Sequence, residues 1–164
     1  MMAEKTAFFY GSKPTSSIES EGSRSFMPYL SGHFDLCTGC AICGLACSAR
    51  EHGGYNPRLA NLEIRLSRDG MVHKPVVCHQ CRNPFCQKVC PAEAIFRDEQ
   101  SGALIVDPDK CTGCGACVTA CPLSMIKLVA GVAHKCDLCG GDPLCVKVCP
   151  AGALSLVREE EAAG

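Results

Sequence analysis

The stretch CTGCGACVTACP at residues 111–122 spaces four cysteines as C-x2-C-x2-C-x3-C and closes on a proline. Such a run lets three thiolates converge on one side of a tight loop while the fourth projects elsewhere, which suits a cubane better than a single tetrahedral ion. Working outward, the sixteen cysteines fall into four groups with none left over: Cys37, Cys40, Cys43 and Cys47; Cys78, Cys81, Cys86 and Cys90; Cys111, Cys114, Cys117 and Cys121; Cys136, Cys139, Cys145 and Cys149. Every group ends in C-x3-C. The last three are followed by Pro91, Pro122 and Pro150, the first by Ser48. CTGCAICGLAC at 37–47 matches CTGCGACVTAC at 111–121 with an offset of 74 residues, and CHQCRNPFCQKVCPAEAI at 78–95 resembles CDLCGGDPLCVKVCPAGAL at 136–154. The chain therefore reads as two copies of a two-motif unit.

Composition says why metal is needed. Of 164 residues, 47% are hydrophobic, but removing the 16 cysteines leaves roughly 37% to build an apolar core. Six Phe, three Tyr and no Trp supply few large side chains for burial. The formal net charge of -1 shows no basic excess, which argues against nucleic acid as a partner. No run approaches the roughly 18 apolar residues of a membrane span. The first residues lack the charged and apolar regions of a secretory leader, and 22–27 approach a twin-arginine signal with only one Arg. The expected location is the cytoplasm, where sixteen cysteines serve as metal ligands rather than disulfides.

Between the groups, strand-length runs flank turn residues. Hairpins are predicted for 62–66 with 71–77, for 95–97 with 103–107, and for 125–129 with 132–133. Short helical turns are predicted after each C-x2-C loop, carrying the final cysteine. Residues 1–30, with apolar islands at Phe8-Phe9-Tyr10 and Phe26–Leu30, read as an N-terminal arm, loosely ordered or docked on a partner. The fold class is α+β, with short hairpins and short helices stabilised by clusters.

The C-x2-C-x2-C-x3-C-P spacing resembles bacterial ferredoxins, in which the fourth cysteine ligates the other cluster of a pair. Zinc on separated C-x2-C knuckles is the alternative, and it leaves the third cysteine, the x3 spacing and the Cys-Pro endings unexplained. A thioredoxin-like dithiol lacks its βαβ surroundings. The 20 residues between Cys90 and Cys111 match the centre of a compact two-cluster ferredoxin, so groups two and three form an inner unit, 78–121. Groups one and four close an outer unit, 31–77 plus 122–157, and 158–164 form a tail. The expected quartets are Cys37, Cys40, Cys43 and Cys149; Cys136, Cys139, Cys145 and Cys47; Cys78, Cys81, Cys86 and Cys121; and Cys111, Cys114, Cys117 and Cys90. Two sequential ferredoxins, joining group one with two and three with four, are the rival.

From Cys37 to about Leu156 the arrangement resembles the four-cluster ferredoxin-like electron-transfer subunits of multisubunit oxidoreductases, a tandem ferredoxin architecture. The resemblance implies four 4Fe-4S clusters in a linear wire, no catalytic residue of the chain's own, and a hetero-oligomer with a catalytic subunit. The short gap between Cys139 and Cys145, with the stretch Glu51–Ala60, is most similar to the small subunit of tungsten-containing aldehyde oxidoreductases. It implies a tungsten-pterin partner and a flavin/NAD subunit or soluble ferredoxin as acceptor. Other branches serve molybdenum formate dehydrogenases and hydrogenlyases or nickel carbon monoxide dehydrogenase.

Four clusters of about -2 each bring the formal charge to about -9. Lys88, Lys110, Lys135 and Lys147, close before ligands, either offset part of this or are ordinary solvated lysines. His33, His52, His73, His79 and His134 are expected to be structural, with His79 a candidate for tuning a potential. Glu93 and Asp98 are expected at the solvated surface.

Overall fold

Short apolar runs interrupted by turn residues fold into local hairpins along most of the chain. A computed structural model describes residues 27–158. Within them, β2 (Glu63–Leu66) pairs antiparallel with β3 (His73–Val76), β4 (Ile95–Arg97) with β5 (Leu104–Val106), and β6 (Lys127–Val129) with β7 (Val132–His134), as the sequence predicts to within two or three residues at each end. Turn chemistry fixes each register. Ala130 and Gly131 both adopt positive φ, 50° and 82°, as a two-residue turn matched to strand twist requires. The Asp98 carboxylate accepts hydrogen bonds from the Ser101 N–H at 2.8 Å and its hydroxyl at 2.5 Å, so Asp98 builds the β4–β5 turn instead of simply meeting solvent.

One sheet had no local signal. β1 (Tyr29–Gly32) pairs antiparallel with β8 (Leu154–Val157), from Tyr29 opposite Val157 to Gly32 opposite Leu154. Residues 29 and 30, assigned by sequence to the arm, are strand. The pairing ties the two ends of the described chain together and buries Leu30 to 2% exposure. Gly32 is required there, because a Cβ would lie 2.6 Å from the Pro75 carbonyl oxygen. Residues 1–26 and 159–164, including Phe8-Phe9-Tyr10 and most of the expected arm and tail, lie outside the described residues.

The helices correct one expectation. α2 (Phe85–Lys88), α3 (Ala116–Ala120) and α4 (Leu144–Lys147) carry the third cysteine of their groups, Cys86, Cys117 and Cys145, while Cys90, Cys121 and Cys149 lie just past their ends. The prolines explain this: a residue preceding Pro is driven out of the helical region, and Pro offers no N–H. Cys121 shows it, at φ -78° and ψ 113°. Group one has Ser48 in place of Pro, so α1 (Ile42–His52) runs eleven residues through both Cys43 and Cys47 until Gly53, at φ 66°, caps it.

The apolar interior is divided between two small clusters, one around Leu30, Leu62, Val77, Leu138 and Leu154, the other around Ile95, Leu104 and Ile126. Cysteines are part of both. Among the described residues no helix is long and apolar enough to cross a membrane.

Candidate metal centres

Backbone conformation gathers the first three thiols of each group. In 111–117, Gly113 and Gly115 take positive φ of 68° and 77°, and in 37–43 the matching Gly39 and Ala41 take 75° and 59°. Gly113 also packs so closely on the β6–β7 turn that a Cβ would stand 2.3 Å from the Gly131 carbonyl oxygen. In the other two groups the matching left-handed residues are Gln80, φ 50°, and Leu138, φ 56°. The third cysteine follows on the helix started after Pro84 or Pro143.

Three cavities each bring three cysteines of one group together with the last cysteine of another. Cys78, Cys81, Cys86 and Cys121 line one cavity; Cys37, Cys40, Cys43 and Cys149 line a second; Cys111, Cys114, Cys117 and Cys90 line a third. Their free space, mouths included, is about 420, 330 and 320 Å³. Among the described residues no three His, Cys, Asp or Glu side chains close around a single-ion point. The last four cysteines are electrostatic neighbours. Burial pushes the Cys145 thiol up to about 12, with Cys139, Cys47 and Cys43 adding to it. Burial likewise takes Cys47 to about 11, opposed by the Asn61 N–H and reinforced by Glu51 and Cys139. Cys136 is pushed well above the ordinary range by burial and by Cys78, with Cys145 a smaller contributor.

Cys43 acts electrostatically on Cys145, and Cys78 on Cys136. The helix of Cys86, α2, packs on that of Cys117, α3. Cys40 and Cys114 are exposed.

Each final cysteine receives a backbone N–H. Ala94 donates to Cys90 Sγ at 3.3 Å, Met125 to Cys121 Sγ at 3.4 Å and Ala153 to Cys149 Sγ at 3.2 Å, each four residues on. The intervening turn needs a left-handed residue three after the cysteine: Glu93, Ser124 and Gly152, at φ 49°, 57° and 61°. In group one, where the helix continues, the donor to Cys47 Sγ is the N–H of Asn61, at 3.3 Å. Ser48, fully buried, holds that arrangement: its hydroxyl donates to the Leu45 carbonyl and accepts the Asn56 N–H, both at 3.0 Å. Such N–H groups stabilise a thiolate over a thiol. Gln80, Ser48 and Asn61 had no signal in the sequence, because their roles depend on contacts across distant segments.

The lysines separate into two kinds. Lys110 and Lys147 are largely exposed and pair with Asp107 and Asp142. Lys88 is exposed. Lys135 is 4% exposed and is not a solvated lysine. Its Nζ donates to the carbonyl oxygens of Leu104 and, at 2.8 Å, Cys136. Of the histidines, His33 contacts Ser155 Oγ at 3.2 Å, His52 contacts the Leu59 carbonyl at 3.2 Å and meets the His134 ring at a tilt of 46°, and His73 lies against Gly39. His79 is exposed at the rim of the Cys78 cavity.

Four thiols around an apolar cavity, with N–H groups aimed at sulfur, are the donor set of a thiolate-ligated cluster. Comparison with known proteins agrees in kind. Residues 70–159 match the family model described as 4Fe-4S dicluster domain. The chain is 38% identical over 106 residues to the polyferredoxin-like subunit of aliphatic sulfonate oxidoreductase from Pyrococcus furiosus, covering 63% of this chain and 61% of that one. It is 30% identical over 146 residues to a tetrathionate reductase subunit from Archaeoglobus fulgidus, covering 84% and 70%. The chain thus spans about three fifths of the length of the Pyrococcus relative. A chain of the active site complex BamBC of benzoyl coenzyme A reductase aligns at 21% identity over 84% of this chain and 86% of that one, with a TM-score of 0.46.

Proposed function

The chain belongs to the 4Fe-4S dicluster domain family, and from that premise we propose that it relays single electrons as a non-catalytic subunit of an oxidoreductase, its sixteen cysteines holding four 4Fe-4S clusters. A bound 4Fe-4S cluster supplies a one-electron couple. The protein's residues do the rest: thiolates anchor, backbone N–H groups orient and stabilise the sulfurs, and apolar side chains exclude water.

The observation that carries this is the assembly of cysteines from separate groups around shared cavities. A tetrahedral zinc with Zn–S of about 2.3 Å needs its sulfurs only ~3.8 Å apart and leaves no cavity between them. The ligand quartets are those named above, with the fourth cysteine exchanged between partners. The same crossing favours an inner unit, 78–121, nested in an outer unit, 31–77 plus 122–157, over two sequential ferredoxins. Matching left-handed residues in groups one and three, and in two and four, support a tandem origin of the two units.

For the partner we favour a tungsten-pterin aldehyde oxidoreductase, delivering electrons to a flavin/NAD subunit or soluble ferredoxin in the cytoplasm. Support comes from the short gap between Cys139 and Cys145 and the stretch 51–60. The names of the relatives, an aliphatic sulfonate oxidoreductase and a tetrathionate reductase, support an oxidoreductase partner in general. A molybdenum formate dehydrogenase or hydrogenlyase, or a nickel carbon monoxide dehydrogenase, is the second reading.

Two measurements test this. Cys121→Ala in the complex is expected to remove one cluster's spectroscopic signal and stop electron flow; retention of both sinks the relay. Tungsten counted per copy of the chain, in complex purified without oxygen from native cells, supports the aldehyde oxidoreductase, whereas molybdenum or nickel transfers the chain to the second reading.

A further inference from the structure

Lys135 stands at the junction of two quartets. It lines the cavity of Cys78, Cys81, Cys86 and Cys121 and immediately precedes Cys136 of the neighbouring set. Its Nζ is fixed by two carbonyl oxygens, those of Leu104 and Cys136. Gln80, 2% exposed, braces the same point from the other side, its Nε2 donating to the Cys136 carbonyl and its Oε1 accepting the Leu104 N–H, both at 2.8 Å. The N–H and C=O of Leu104 are thus both held by side chains, and the cation has no freedom to swing to solvent. Lysine almost never lies fully buried without partners of opposite charge. The groups beside it that would become anionic on cluster binding are the cysteines of two different quartets, Cys136 next to it in the chain and those of the cavity it lines.

We propose that Lys135 is a fixed buried cation shared by the Cys78/Cys81/Cys86/Cys121 cluster and the Cys47/Cys136/Cys139/Cys145 cluster, offsetting their mutual repulsion and raising the reduction potential of both. Each bound cluster is anionic and gains one further negative charge on reduction. A positive charge held nearby in a medium of low dielectric favours that reduced form, and burial keeps salt from screening it. Lys135 touches no substrate; it is a positioning residue for charge, located between the cavity of Cys78 and the neighbouring Cys136.

The proposal rests on the four-cluster assignment, so iron is counted first in the full chain loaded without oxygen. A wild-type chain short of four clusters refutes that assignment and Lys135's role with it. With four clusters present, redox titration followed by electron paramagnetic resonance is run on Lys135→Met, Lys135→Gln and Lys135→Arg, with the exposed Lys74→Met as control. The expected result is a fall in two of the four midpoint potentials by a factor of ten or more in the one-electron equilibrium, about 59 mV, in both neutral variants. Arginine restores them, and the control moves none. Four unchanged potentials in a fully loaded neutral variant, or an equal shift in Lys135→Arg, overturn the proposal. If both neutral variants fail to load while Lys135→Arg loads with wild-type potentials, the charge requirement stands. If arginine fails to load as well, the role is one of shape and the proposal falls.

Discussion

At Glu93 a charged side chain occupies a backbone position better suited to glycine. The turn after each Cys-Pro pair needs a left-handed residue so that the N–H following it reaches the preceding sulfur, and Glu93, Ser124 and Gly152 fill that place in turn. A non-glycine residue there costs roughly 1–2 kcal/mol, against roughly 0.5–1 kcal/mol of extra unfolded-state freedom for glycine. Glu93→Gly is therefore expected to stabilise the loaded protein by up to about 1 kcal/mol, and Gly152→Val to destabilise it by at least as much. The temperature at which the visible cluster absorption is lost reads both; a lower temperature for Glu93→Gly contradicts the strain account. The cysteines and prolines were legible as chemistry because their spacing is local. The left-handed residues were not, since Glu, Ser and Gly share no side-chain property and only the hydrogen bond to sulfur unites them. Lys135 was legible as a candidate and undecided as to burial, because adjacency to a cysteine does not fix which side of the loop a side chain takes.

The single departure from the Cys-Pro rule sets the length of an element. Ser48 lets α1 continue to His52 and frees its hydroxyl to hold the Asn56 N–H, which brings Asn61 back over Cys47. Ser48→Pro makes group one conform to the other three, yet it is expected to cost about 3 kcal/mol or more, because proline in a helix interior removes a hydrogen bond and clashes with the preceding turn. Ser48→Ala, which keeps the helix and loses both side-chain bonds, is expected to cost about 1–2 kcal/mol. Thermal loss of absorption for the two variants, compared with wild type, checks the order; equal effects contradict it. Hairpins were readable from alternating apolar runs and turn residues. The β1–β8 pair was not, because Tyr29-Leu30-Ser31-Gly32 carries no strand pattern of its own and becomes a strand only by meeting Leu154–Val157 from the far end of the chain.

Over the whole molecule, two small apolar clusters share their interiors with cysteines, so metal binding supplies stability that packing does not. Without iron the buried thiols resist ionisation, Cys145 to about 12 and Cys47 to about 11, above the ordinary value of 9.0. Because these folded-state values lie above the unfolded one, whatever stability the metal-free fold retains is fully present below about pH 9 and is lost as pH rises from there towards 12. Chelating the iron is expected to unfold most of the chain, and any residual structure to disappear as pH climbs through that window, followed by far-ultraviolet circular dichroism; a cooperative metal-free fold insensitive to pH 9–12 contradicts this. The central claim, four thiolate-held cubes, meets its most direct test in an elemental count of iron and zinc per chain on protein purified without oxygen from its native cells. The account predicts about 16 iron per copy after subtracting any iron of the partner. Stoichiometric zinc with little iron contradicts it.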